Sequence, residues 1–169
     1  MAVETNSVSS CARAATAVEA RFRIDRPIRP ARAARIIALD EKAAEVARDA
    51  AVTEWASARF LVCEGVAVGG GLAVGDFFLR GIGGEPAVLD EVLAGADVVV
   101  MLATDDSGAG CAYAVGKACW ERGIMTAGLV LDQGFGADEA VAALRPHARV
   151  LLPTADETDL AELLTALRA

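Results

Sequence analysis

The stretch GADVVVMLATDDSGAGCAYAVGKACWERGIMTAGLVLD, from Gly95 to Asp132, constrains this chain more than any other. Asp97 to Leu102 is an apolar, β-branched run of the kind that is buried on both faces of a sheet. The turn Thr104-Asp105-Asp106-Ser107-Gly108-Ala109-Gly110 follows at once. A helix is expected from about Gly110 to Arg122, with Gly123 placed to end it as a left-handed cap. Met125 to Leu131 then supplies a second apolar strand. Two such strands joined through a helix make a right-handed parallel βαβ unit. The turn after its first strand is where open α/β sheets hold their ligands.

The flanking segments extend the same alternation. Ala34 to Leu39 predicts a first strand, and Asp40 can cap a helix reaching to about Ser57 that buries Ala44, Ala47, Ala51 and Trp55. Ala58 to Cys63 predicts the second strand, and a glycine-rich passage from Gly65 to Gly75 leads into Asp76-Phe-Phe-Leu79. Gly83-Gly84-Glu85-Pro86 reads as a turn opening a short helix, with Pro86 in its first turn and Val88, Leu89, Val92 and Leu93 facing inward. Ala137 to Leu144 predicts a helix stopped by Pro146, and Arg149 to Leu152 the last strand. A closing helix, capped by Thr158 or Asp156, buries Leu160, Leu163, Leu164 and Leu167. The pattern is a doubly wound, mainly parallel α/β sheet of about five strands over residues 31–169. Residues 1–30 read as an N-terminal arm and linker, polar at first, with Cys11 to Ala20 as a short helix or Val18 to Ile24 as an edge strand, then broken by Pro27 and Pro30.

Composition narrows the function classes. A formal net charge of -8 argues against nucleic acid, because phosphate binding needs a basic field. Arg21, Arg23, Arg26, Arg29, Arg32 and Arg35 form a basic cluster that reads as a solvated arm, with an anionic partner as the alternative. Cys11, Cys63, Cys111 and Cys119 show no CxxC spacing, and the single histidine, His147, reads as a surface loop residue. Buried reduced thiols and a cytoplasmic location follow, with no membrane segment expected.

Two passages could carry chemistry. Gly69 to Gly75 approaches a dinucleotide fingerprint, but its last gap is one residue too long and no ribose-binding acid follows, so a flexible or closely packed loop is the plainer reading. Ser107-Gly108-Ala109-Gly110, at the mouth of a helix, is a better phosphate cradle, since small residues let amides approach an anion. Asp105 and Asp106 beside it would repel phosphate unless a divalent cation lay between. With Asp132, and with Asp40 and Glu64 at other strand ends, they form a candidate Mg²⁺ set. The alternative is that each carboxylate caps a helix or faces water. One histidine in a terminal loop excludes a Ser-His-Asp or Cys-His arrangement.

From Gly83 onward the text EPAVLDEVLAGADVVVML, SGAGCAYAVGKACWERGIMTAGLVLDQGF and LRPHARVLLPT resembles the nucleotide-binding half of the FtsZ/tubulin family. There a helix leads into a G-A-D-x-V strand, a G-G-G-T-G-[ST]-G loop, a helix ending L-G-I-x-T and a strand ending I-P-N. The resemblance implies a three-layer Rossmann-like domain in which Ser107 to Gly110 stand where T-G-[ST]-G stands. The departures matter as much. The leading glycines are missing, with Asp105-Asp106 on the approach; Leu39 runs into Asp-Glu-Lys instead of a phosphate loop; Gly134-Phe-Gly-Ala-Asp138 replaces the ribose contacts; and Thr154 replaces the asparagine. The sequence reaches Ala169 without the second domain that supplies that family's catalytic acidic loop.

Two functions are therefore expected to compete. The first is an FtsZ/tubulin-like module with degenerate GTP-binding loops that lacks self-contained GTPase machinery, holds no resident cofactor and works through a protein partner or as a homo-oligomer. The second is a small Mg²⁺-dependent enzyme, or nucleotide-binding protein, acting on GTP or another phosphorylated substrate at the Asp105–Gly110 turn.

Overall fold

The computed structural model describes residues 31–65, 77–131 and 136–169. The N-terminal arm, the glycine passage of 66–76 and Asp132 lie outside them. One seven-stranded sheet runs β4-β3-β2-β1-β5-β6-β7. Its strands are β1 (Ala34–Ala38), β2 (Ala58–Gly65), β3 (Phe77–Gly81), β4 (Pro86–Ala87), β5 (Val98–Ala103), β6 (Met125–Val130) and β7 (Val150–Leu152). The helices are α1 (Glu41–Ala50), α2 (Leu89–Leu93), α3 (Ala109–Glu121), α4 (Asp138–Leu144) and α5 (Glu157–Leu167), with a 3₁₀ turn at Asp106–Gly108 just ahead of α3. The strands β2, β1, β5, β6 and β7 pair in parallel, in the 2-1-3-4-5 order of doubly wound sheets.

The β5 run explains the layering. Val98, Val100 and Leu102 pack on α1 and α5 through Ala43, Ala44, Ala47, Leu160 and Leu164. Val99, Met101 and Ala103 pack on the opposite face against α2, α3 and α4. All six residues of β5 are buried, which is why this strand is apolar throughout instead of alternating.

The sheet has two more strands than the sequence pattern predicts. Phe77–Gly81 returns antiparallel along β2, and Pro86–Ala87 pairs with Leu79 and Arg80. Pro86 is therefore in a strand and not in the first turn of a helix; α2 starts at Leu89, and Val88 is exposed. A proline is tolerated there because β4 is the sheet edge. Helix α1 ends at Ala50, short of Ser57. β-Branched Val52 and Thr53 follow, and the Trp55 indole donates to the Ala50 carbonyl at 2.9 Å, taking one of the helix's orphan acceptors. Gly95 and Gly123 adopt φ of +71° and +67°, as helix-ending glycines should. Asp156 is the cap of α5, in a reciprocal capping box with Asp159.

Two polar residues are placed differently from their sequence reading. Arg35 does not belong to the solvated arm. It lies in β1, 9% exposed, and donates to the Val92 carbonyl at 2.9 Å and to that of Ala34. Burial, and then the Arg59 charge, lower its pKa, while Asp97 opposes them. His147 is packed, not a free loop residue. Its ring meets Tyr113 edge-on at 5.4 Å, and it lies close over Gly116. Both ring nitrogens are buried without a hydrogen-bond partner among the described residues. Among those residues no helix is long and apolar enough to cross a membrane.

Candidate functional site

The chain leaves β1 toward β2 on one side and later returns as β5 on the other. The crevice at the carboxyl ends of β1 and β5 is therefore the topological switch point, the ligand position of an open α/β sheet. Leu39 and Asp40 enter it from β1, and Thr104 to Gly108 enter it from β5.

Asp40 occupies its centre. The side chain is 7% exposed, and each oxygen accepts from backbone or hydroxyl donors. Oδ1 takes the Ala43 amide at 2.8 Å, capping α1, and the Thr104 hydroxyl at 2.6 Å. Oδ2 takes the Thr104 amide at 2.6 Å and the Asp105 amide at 3.4 Å. A helix N-terminus and the amides after a strand converge here as they would on a bound phosphate. The anion they hold belongs to the chain. Composition and spacing give Asp40 as a cap for α1. Its second set of donors, on Thr104 and Asp105, could not be read before the two strands were known to be neighbours.

Asp105 and Asp106 are likewise engaged by their own surroundings. Asp105 Oδ1 accepts from the Ser107 amide at 2.8 Å and from the Ser107 hydroxyl. Those bonds lower its pKa, the hydroxyl contributing most, with burial opposing and the Lys42 charge assisting. Asp106 accepts from the Ala140 amide at 3.0 Å and ties the turn to α4. Of the four residues read as a cradle, Ser107 thus gives its amide to Asp105, and Ala109 gives its own to the Asp106 carbonyl. Gly108 is pressed under Leu39, and Gly110 faces open space.

Of the other strand-end carboxylates, Glu64 pairs with Arg80 at 3.3 Å, and Asp132 lies outside the described residues. Among the described residues no group of three or more His, Cys, Asp or Glu side chains could hold a metal ion.

The Asp105 bonds have a pH consequence. A carboxyl whose folded pKa is lowered stabilises the fold fully above the ordinary aspartate value, about 3.9, and loses that contribution as pH falls through the folded value. Ser107→Ala should move the Asp105 midpoint upward toward that value in a carbon-detected NMR titration. An unmoved midpoint would show that the hydroxyl bond does not hold the charge.

No protein-family model matches this sequence, and no curated protein matches it.

Proposed function

We propose that this chain is a non-catalytic α/β module, a degenerate relative of the FtsZ/tubulin nucleotide-binding domain, which works by assembly instead of nucleotide turnover. The observation that carries this reading is the Asp40 carboxylate, which takes the amides of Ala43, Thr104 and Asp105 at the switch point. A triphosphate would have to displace that carboxylate and then lie beside Asp105 and Asp106. Two uncompensated charges near a cleft cost several kcal/mol, about 4 for a close pair at intermediate dielectric. A helix N-terminus returns only about 0.3–2 kcal/mol. Repulsion wins.

The surface that supports assembly is the β6–β7 margin. Met125, Val150 and Leu152 are exposed apolar side chains, and they share one sheet face through the pairing of Ala127 with Val150 and Leu129 with Leu152. The sheet's other edge carries Pro86; β7, the edge here, carries neither proline nor charge. An edge without such guards accepts a strand, and a second copy of β7 about a two-fold axis is the occupant that we assign.

Thermal-shift measurements test the nucleotide half of the reading. GTP, ATP and Mg²⁺, separately and together, should leave the melting temperature unchanged, and calorimetry with GTP in excess EDTA should show no tight binding. A ligand at a hundredfold excess over its Kd would add about 2.7 kcal/mol, so binding would be visible. The competing enzyme reading rests on Asp105 standing ionised at the switch point. A Mg²⁺-dependent shift abolished by Asp105→Ala would establish that reading in place of ours. Light scattering tests the assembly half: Leu152→Asp should reduce any dimer to monomer, and a monomeric parent chain at high concentration would overturn that half.

A further inference from the structure

The edge strand β7 is framed by charges of opposite sign. It runs parallel to β6, so its carboxyl end lies at the crevice pole of the sheet and its amino end at the far pole. Asp138 and Glu139 open α4 at the crevice pole, and Asp156 and Glu157 stand at the start of α5 there. Arg145 ends α4 at the far pole, and Arg149 immediately precedes β7. These residues are all exposed. Among the described residues, Asp138, Glu139, Arg145, Arg149 and Glu157 form no ion pair, while Asp156 is engaged as the cap of α5. The strand's backbone also leaves groups for a partner. Arg149 and Ala155 give their amides to the Thr126 and Val130 carbonyls of β6, each at 2.9 Å. Bonding alternates along a parallel strand, so Val150 and Leu152 turn their N–H and C=O groups outward.

We infer that these charges decide how two copies meet: the β7 edge takes a second copy in antiparallel register centred on Leu151, its basic end matched to the partner's acidic end. The inference rests on the assembly reading above and adds to it the residues that select the partner and its orientation. With the two-fold axis through Leu151, Val150 lies opposite the partner's Leu152, and the reverse, so the outward groups of both strands are paired. The axis is perpendicular to the sheet, so both α4 helices lie on the same face. Arg145 and Arg149 of each copy then stand level with the partner's Asp138, Glu139 and Glu157, and the match occurs twice per dimer. A parallel approach would instead set arginine beside arginine and acid beside acid. Opposed charges thus favour one orientation and reject the other. Overall charge works against association, since two chains of net charge -8 repel; the local match offsets it.

Two variants of the full chain test this. Arg145→Glu with Arg149→Glu makes both ends of the edge acidic, and Glu139→Arg with Glu157→Arg makes both ends basic. Thermal melts establish that each variant is folded. In sedimentation equilibrium, each variant alone should self-associate about tenfold more weakly than the parent chain. Native mass spectrometry of an equimolar mixture should show the mixed dimer in place of either homodimer. The basic variant is the sharper test, because its net charge is closer to zero and general repulsion alone would make it associate more tightly. Parent-like dimers from both variants, mixing at random, would overturn the charge-matched register and leave assembly through β7 standing. A monomeric parent chain at high concentration would overturn both. If a double variant fails to fold, Arg149→Glu and Glu157→Arg as single substitutions, mixed in the same way, decide.

Discussion

Asp40→Ala is expected to destabilise the domain by about 3–5 kcal/mol, the largest loss of any single substitution at the crevice. The side chain is buried, and it satisfies the Ala43 and Thr104 amides and the Thr104 hydroxyl. Each buried donor left without an acceptor costs about 1–3 kcal/mol, and the lost cap of α1 accounts for about 1 kcal/mol of the total. Asp40→Asn should recover only part of the loss. One of its two terminal atoms becomes an NH₂ group, which would face amides that are themselves donors. Formate or acetate should partly restore the melting temperature of the alanine variant and leave the parent chain unaffected, because the vacated donors still converge on an anion. Urea unfolding measures the first effect, and thermal shift measures the rescue. A loss below about 1 kcal/mol would mean that water replaces the carboxylate at little cost.

The second large effect separates the two glycines of the same turn. A β-carbon on Gly108 would lie 2.8 Å from the Leu39 carbonyl carbon, and that obstacle is backbone that cannot rotate away. Gly108→Ala should therefore cost about 3 kcal/mol, at the upper end of overpacking, and should shift the amide NMR signals of Leu39 and Asp40. Gly110 is in the first turn of α3, with nothing within 4 Å of its would-be β-carbon. Gly110→Ala should be neutral, or stabilising by up to about 1 kcal/mol through helix propensity. Equal effects at the two positions would contradict this account. The comparison also bears on the turn's resemblance to a phosphate loop: Gly108 is required by how closely α3 approaches β1, whatever the turn binds.

The α/β class and the doubly wound, mainly parallel character of the sheet were legible in the residues themselves. Val98 to Ala103 and Met125 to Val130 are apolar on both faces, and only a strand covered by helices above and below tolerates that. Gly123 marked a helix end because a left-handed residue is cheapest as glycine. The helix after Asp40 was legible as well, though not its length. The β3–β4 pair was not: a two-residue strand that begins at a proline has no periodicity of its own, and only its pairing with Leu79 and Arg80 makes it one.

At the candidate site the division falls in the same place. Local spacing located the Asp105–Gly110 turn, because strand, small residues and helix follow one another along the chain. It also gave Asp40 as a cap, since that bond spans only three residues. Tertiary structure alone decided that β1 and β5 are neighbours. That adjacency brought the Thr104 and Asp105 amides onto Asp40, sixty-odd positions away. The physical reason is range. Propensity, capping and periodicity act over a few residues and are written in order along the chain. Which carboxylate fills a ring of donors depends on strand pairing that no local pattern encodes.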